Sequence, residues 1–102
     1  MPQPALALLV RFKSPLSRDQ AMAVVEDRAP EFRALPGLVQ KYYLHDPKSG
    51  ELAGLYLWDS QESLDAFRNS DLRATIAKAY QVQGEPRVEV FQVFKALREG
   101  IA

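Results

Sequence analysis

Two stretches of the chain alternate side-chain character with the two-residue period of a β-strand. They span residues 36–46 and 51–60 and are separated by a four-residue segment that begins with Pro47 and ends with Gly50. The fixed φ of proline suits the first position of a turn, and glycine suits a last position with a left-handed backbone. The pattern therefore predicts a β-hairpin.

Counting back from the turn gives a register in which Asp46 faces Glu51. The predicted cross-strand pairs are Val39 with Trp58, Lys41 with Tyr56, and Tyr43 with Gly54. Successive side chains of a strand point to opposite faces, so this register divides the hairpin. One face is aromatic with a few polar groups: Val39, Lys41, Tyr43, His45, Gly54, Tyr56 and Trp58. The other is mainly aliphatic: Leu38, Gln40, Tyr42, Leu44, Ala53, Leu55 and Leu57.

Neither face resembles a surface that is exposed to water, although a single-layer antiparallel sheet usually keeps one face polar. We expect the chain's own helices to cover one face and a second copy of the protein to cover the other. The aromatic face has the apolar walls and few hydrogen-bonding groups of a ligand site. The predicted dimer contact is the aliphatic face, with Leu38, Tyr42, Leu55 and Leu57.

The flanking segments predict two more strands and two helical regions. Apolar residues 5–12 indicate a buried strand, and residues 87–94 alternate Val and Phe with polar positions. Ser17 and Gln20 have capping-box spacing, which predicts a helix that either ends near Arg28 or restarts at Pro30.

Asp59 and Glu62 have the same spacing and predict a second helix start. Residues 69–71 should interrupt that helix, and residues 83–86 should end the helical region. No pattern is assigned to residues 97–102. The resulting order, βαββαβ, predicts an α+β, ferredoxin-like single domain over residues 1–102, with a four-stranded antiparallel sheet and both helices on one face.

Composition narrows the classes of function. Thirteen basic and thirteen acidic residues give a formal net charge of zero, which argues against a nucleic-acid-binding protein. The chain has no cysteine, and its single histidine cannot form a metal-ligand cluster, so no metal site is predicted. The N-terminal segment resembles a first strand rather than a signal peptide, and no apolar run approaches a membrane span of about 20 residues. We therefore expect a cytoplasmic protein without membrane contact.

The aromatic face carries the candidate chemistry. Tyr43, Tyr56 and Trp58 offer flat surfaces with hydrogen-bond donors, Lys41 offers a positive charge for an anionic substrate, and Gly54 offers space beside the sheet. The alternative is that these aromatic residues only fill the core and an interface, because strands are rich in them anyway.

His45 lies beside the predicted turn. It is a candidate general base, and the alternative is a partly exposed histidine with no function.

The hairpin and the following helix start resemble one known family. Its pattern combines PGL and K-x-[WY] in one strand with [GA]-G-[IL]-Y-L-[FW] and an acidic helix start in the next. Here the matching segments are Pro36-Gly37-Leu38, Lys41, Tyr43, residues 53–58 and Asp59. Over about residues 10–93 the chain is similar to the YdhR-like mono-oxygenases of the dimeric α+β-barrel superfamily, which are related to the antibiotic-biosynthesis monooxygenases.

The resemblance implies a homodimer, a pocket between each sheet and its own helices, and oxidation of a small aromatic or quinone-like compound by O2 without cofactor. It also implies that Trp58 lines the pocket. Gly54 departs from the amide side chain that some related enzymes carry, and the absence of histidine after Trp58 disfavours the haem-degrading branch.

Two functions therefore stand as hypotheses. The first is a cofactor-independent monooxygenase-like enzyme that holds its substrate with Lys41, Tyr43, Gly54, Tyr56 and Trp58, with Lys41, Tyr43 and His45 as catalytic candidates. The second is a non-catalytic homodimer that binds a small hydrophobic ligand in the same place.

Overall fold

A computed structural model of the protein describes residues 3–98. In chain order its elements are β1 (Leu6–Lys13), α1 (Arg18–Arg33), β2 (Leu38–His45), β3 (Leu52–Trp58), α2 (Gln61–Arg68), α3 (Asp71–Ala74), α4 (Ile76–Ala79) and β4 (Gln83–Gln92). The two short helices α3 and α4 continue the second helical region. The predicted βαββαβ order is confirmed.

The four strands form one antiparallel sheet in the order β2-β3-β1-β4. This is the ferredoxin-like arrangement, in which the two crossovers place the helices on the same face. Every second side chain of β1 is buried against those helices: Leu6, Leu8, Val10 and Phe12. They join Phe32, Leu64, Phe67 and Ile76 from the helices in the core.

The hairpin turn forms as the sequence predicts. Gly50 has a φ of +78°, and its N–H donates to the carbonyl of Asp46 at 2.8 Å. The Asp46 N–H in turn donates to the carbonyl of Glu51 at 2.9 Å. Lys41 stands opposite Tyr56 and Tyr43 opposite Gly54, as expected.

The predicted register is wrong at the far end of the hairpin. A β-bulge between Leu38 and Gln40 places Leu38, and not Val39, opposite Trp58. One extra residue reverses the alternation of the side chains. Leu38 therefore packs against the core, and its assignment to the dimer contact is corrected.

The predicted capping box begins α1. The Gln20 N–H donates to Ser17 Oγ at 3.2 Å, and the Ser17 N–H donates to Gln20 Oε1 at 2.9 Å. The helix is continuous through Pro30, so neither an end near Arg28 nor a restart at Pro30 occurs. Because only the last helical turn follows Pro30, the missing N–H costs one hydrogen bond and the turn still closes.

The second helix is capped by Ser60 instead of the predicted Asp59. Ser60 Oγ accepts the Ser63 N–H at 3.1 Å. Asp59 is still held at the strand end, where its N–H donates to the carbonyl of Gly37 at 2.9 Å. Gly37 packs so closely on Asp59 and Ser63 that a Cβ atom would collide with both side chains.

Strand β4 begins four residues earlier than predicted and ends two residues earlier. Residues 83–86 belong to it, because the register with β1 shifts between Arg11 and Lys13 and lets the strand continue along the sheet edge. Pro86 is tolerated at an edge, where its missing N–H interrupts no central ladder. Within the unassigned segment, 97–98 lie in a bend, and residues 99–102, like residues 1 and 2 of the predicted domain, lie outside the described residues.

The face of the sheet opposite the helices carries no second layer within residues 3–98. Its central side chains are only half-buried: Ala7, Leu9, Ala53, Leu55 and Leu57. Tyr42, Leu44 and Phe91 on the same face are 42%, 44% and 49% exposed. We call this surface the open face. None of the helices in this part of the chain has the length and apolar character that crossing a membrane requires.

Candidate functional site

A cavity of about 270 Å³ lies between the helical face of the sheet and helices α1 and α4. Its walls are mainly apolar: Val10, Phe12, Leu16, Ala21, Val25, Leu52 and Ile76. An engineered cavity of about 150 Å³ accepts benzene, so this space can hold one substituted aromatic ring. Aspartate and glutamate are absent from the described lining.

The structure brings most of the sequence-predicted residues together at this cavity. Lys41, Tyr43, Gly54 and Tyr56 all line it, and so does His45. The first four lie on paired positions of β2 and β3, because the predicted register is correct between the turn and the bulge.

Trp58 occupies a different place. Its side chain is 0% exposed and is not part of the cavity lining. The indole stacks on Tyr56 with 6.2 Å between ring centroids and an interplanar angle of 6°. It borders a separate hollow with Leu35, Pro36 and residues of α2. Trp58 therefore lies outside this cavity, behind the Tyr56 ring.

The Lys41 ammonium group is surrounded by aromatic rings. Nζ lies 3.5 Å from the ring centroid of Phe32, 4.3 Å from that of Tyr43 and 4.4 Å from that of Tyr56. No ion pair among residues 3–98 includes Lys41. The side chain thus reaches the cavity without a carboxylate partner.

This environment changes the protonation of Lys41. Burial lowers its pKa from the ordinary 10.5 to about 7, and the positive charge of Arg28 contributes in the same direction. The ring faces favour the ammonium form through cation–π attraction, which opposes burial. A substantial fraction of free amine is therefore present at neutral pH.

Gly54 makes room for the neighbours of Lys41. A Cβ atom at this position would lie 3.0 Å from Tyr56 Cε1 and 3.4 Å from Lys41 Cε. The Tyr56 ring and the Lys41 stem thus occupy the space that a larger side chain at position 54 would need. The sequence predicts space at Gly54 for a ligand, whereas the structure fills much of that space with these two side chains.

The tyrosines at the site are held in their neutral, hydrogen-donating form. Burial raises the pKa of Tyr43, and it raises the pKa of Tyr80 to about 12. Burial also raises the pKa of Tyr56. Tyr43 is 41% exposed, so it lies at the boundary between cavity and solvent.

Arg28 and Phe32 belong to the site and are missed by the sequence analysis. Arg28 Nη2 donates to the carbonyl of Leu72 and to Thr75 Oγ1, both at 2.8 Å, which ties α1 to α3 and α4. Phe32 covers Lys41 at the end of α1. Their i, i+4 spacing places them on one helix face and is the signal that could have identified the pair.

His45 is exposed and lines the cavity near the β2 end, opposite Leu52. Its position permits contact with a ligand at the entrance. Within residues 3–98 no group of three or more His, Cys, Asp or Glu side chains is arranged to hold a metal ion.

The arrangement can bind a planar ring between apolar walls and present an amine to it. A free amine near pH 7 can accept a proton, and the neutral tyrosines can donate hydrogen bonds to an oxygen that gains negative charge. The site is therefore suited to ionising a small, weakly acidic aromatic compound.

Comparison with known proteins agrees with this fold. The family described as "Putative mono-oxygenase ydhR" matches residues 6–99. No functionally curated protein matches the chain.

Several solved structures share the architecture. Rv0793 from Mycobacterium tuberculosis is 20% identical, with a TM-score of 0.72 over 91% of this chain and 98% of that one. SnoaB from Streptomyces nogalater, described as a cofactor-independent oxygenase, is 16% identical, with a TM-score of 0.72 over 95% and 100% of the two chains. An antibiotic biosynthesis monooxygenase candidate from Caulobacter crescentus is 18% identical, with a TM-score of 0.73 over 92% and 93%.

Proposed function

The chain belongs to the family described as "Putative mono-oxygenase ydhR", and we propose that it is a monooxygenase-like enzyme that oxidises a small aromatic or quinone-like compound without a cofactor. The observation that carries this proposal is the position of Lys41, whose Nζ reaches an apolar cavity within 3.5–4.4 Å of three ring centroids. SnoaB supports the fold and motivates the cofactor-independent part.

In the proposed reaction, Lys41 removes a proton from an activated C–H or phenolic O–H group. The resulting anion is electron-rich and reacts directly with O2. For a CH2 group that becomes a carbonyl, or a phenol whose para C–H becomes a quinone carbonyl, the substrate supplies all four electrons, one oxygen atom enters the product and the other leaves as water. Tyr43 and Tyr56 remain neutral and stabilise the developing oxyanion by donating hydrogen bonds. Trp58 and Gly54 act indirectly, since they position the Tyr56 ring.

The alternative function, a binding protein for a small hydrophobic ligand, is favoured by one observation. The described cavity lining holds no carboxylate that could relay a proton from Lys41. Both functions use the same space, so the decisive measurement is turnover.

Oxygen consumption separates the two functions. We would measure O2 uptake and product absorbance with a panel of one-ring phenols, hydroquinones and ketones that have an acidic C–H group. Wild type should consume O2 with at least one compound, with activity rising through about pH 7 as Lys41 loses its proton. Lys41→Met should lower kcat about a hundredfold, the contribution of a positioned general base.

Lys48→Met is the matched control, because Lys48 is an exposed lysine on the hairpin turn. Its activity should equal that of wild type. Ligand binding without O2 uptake across the panel would establish the binding function instead, and wild-type rates in Lys41→Met would remove Lys41 from the chemistry.

We also propose that two copies pair through the open face. Support comes from its half-buried aliphatic centre and its exposed Tyr42, Leu44 and Phe91. A neutral chain cannot rely on charge repulsion to keep such a surface in water. The corrected contact is centred on Leu9, Leu55 and Leu57, since Leu38 belongs to the core.

A further inference from the structure

The Lys41 amine has an environment that attraction of an anionic substrate alone does not require. Its Nζ lies over the faces of Phe32, Tyr43 and Tyr56, and the cavity lies alongside. A lysine that only attracts an anion works best as a permanent cation, usually held by a carboxylate. Here the described lining contains no carboxylate at all.

None of the charged and titratable groups described around Lys41 offers its ammonium a negative charge. Arg28 approaches from α1 and adds positive charge, while Tyr43 from β2 and Tyr56 from β3 stay neutral because burial raises the pKa of each. His45 lines the same cavity from the end of β2. A desolvated lysine beside a second cation is the setting in which lysine acts as a nucleophile towards carbonyl compounds.

We propose that Lys41 Nζ forms an imine with a small aromatic aldehyde or ketone that binds in this cavity. The amine lone pair forms the C–N bond, both amine protons move to the carbonyl oxygen, and the C–O bond breaks to release one water molecule. No oxidant or reductant takes part. The inference uses the same amine as the proposed oxygenation but is independent of O2, so either can fail alone.

The class of carbonyl compound follows from the walls of the cavity. The volume of about 270 Å³ suits one substituted ring. An imine conjugated to that ring is planar and would lie among the rings of Phe32, Tyr43 and Tyr56, where aromatic contacts favour offset or edge-on packing at about 4.5–7 Å between centroids. A non-planar carbonyl compound of equal size would lose these contacts.

Reductive trapping tests the proposal. The full chain would be mixed without oxygen with 4-hydroxybenzaldehyde and cyanoborohydride, which converts an imine into a stable secondary amine, and the modified lysines would be mapped by peptide mass spectrometry. We expect Lys41 to be labelled roughly tenfold faster at pH 7 than the exposed Lys48 and Lys78, with the ratio falling as the pH rises above 7, where the free amine of Lys41 approaches its maximum. Equal labelling of the three lysines would overturn the proposal.

Two further comparisons show whether the cavity directs the reaction. Cyclohexanecarbaldehyde should label Lys41 more slowly than benzaldehyde, and phenol, which lacks a carbonyl group, should protect Lys41 by occupying the cavity. Lys41→Arg should lose the fast label, whereas Lys78→Met should keep it. If Lys41→Arg fails to fold, the wild-type map and the phenol protection still decide. Fast labelling of Lys41 that is equal for both aldehydes and unaffected by phenol would contradict an aromatic site.

Discussion

At the scale of single residues, the site depends on how Lys41 is desolvated. Its stem passes over Gly54, and its amine ends among the rings of Phe32, Tyr43 and Tyr56. Keeping an amine there costs folding free energy at any pH where the unfolded chain would carry the proton. A buried amine with this cost and no carboxylate partner among the described residues is typical of a functional site.

The cost predicts a pH-dependent stability difference between wild type and Lys41→Met. The folded pKa of Lys41, about 7, lies below the ordinary 10.5, so the unfolded chain binds more protons between these values. Wild-type stability therefore rises with pH from about 7 to 10 relative to the variant and is relatively lowest below pH 7. At pH 7, Lys41→Met should be more stable by roughly 4 kcal/mol at most.

Urea unfolding of both proteins from pH 6 to 10 measures this difference, with Lys48→Met as the control. A difference that does not change with pH would show that Lys41 keeps its ordinary pKa in the folded protein.

At the scale of elements, Arg28 connects the helical layer to the site. It lies on α1 and donates to Leu72 and Thr75, which belong to α3 and the junction with α4. The same guanidinium lowers the pKa of Lys41. One residue thus holds three helices together and sets the charge beside the cavity.

Replacing Arg28 should therefore change both properties. Arg28→Gln removes the charge, so the pKa of Lys41 should rise, and it also weakens the hydrogen bonds to α3 and α4, which should cost about 1–3 kcal/mol of stability. The pH dependence of Lys41 labelling reports the first effect and urea unfolding the second. Arg68→Gln, an exposed arginine in the last turn of α2, is the matched control and should change neither. An unaltered pH dependence in Arg28→Gln would exclude the proposed electrostatic contact.

At the scale of the whole molecule, the sheet separates two surfaces with different roles. The helical face contains the cavity, and the open face is apolar without a cover among the described residues. A network of Arg11, Asp46, Glu51 and Arg87 marks the turn end of the open face, with ion-pair distances of 2.6–3.1 Å. These paired charges border the apolar area at that end of the face.

The proposed dimer predicts that a charge at this centre prevents association. Leu57→Glu should convert a dimer to a monomer, because an unpaired carboxylate would be buried in the interface. Ala77→Glu, on the exposed surface of α4, introduces the same charge and should remain dimeric. Sedimentation at micromolar concentration distinguishes the outcomes, and a monomeric wild type would refute the pairing.

The sequence was informative wherever a local interaction decides the structure. The Ser17 capping box, the Gly50 turn and the register around Lys41 depend on neighbours along the chain or across one hairpin, and each is confirmed. The sequence predicts Asp59 as the cap of α2, whereas Ser60 is the cap. The Asp59 N–H is instead bonded to the carbonyl of Gly37, and this contact with a segment distant in sequence leaves no local signal.

By itself, then, the alternation of side chains determined the ferredoxin-like fold and placed Lys41, Tyr43, Gly54 and Tyr56 on one face, because strand geometry has a fixed period. Only the tertiary structure decided that these four residues border a cavity and that Trp58, which the sequence predicts on the same face, does not. The bulge that moves Leu38 into the core arises in the pairing of β2 with β3, and Trp58 packs between Tyr56 and Phe67 of α2. The approach of Phe32 and Arg28 to Lys41 depends on how α1 packs on the sheet. Packing between segments that are distant along the chain leaves no periodic pattern in the sequence. The burial of the Lys41 amine among aromatic rings could therefore be found only in the folded structure.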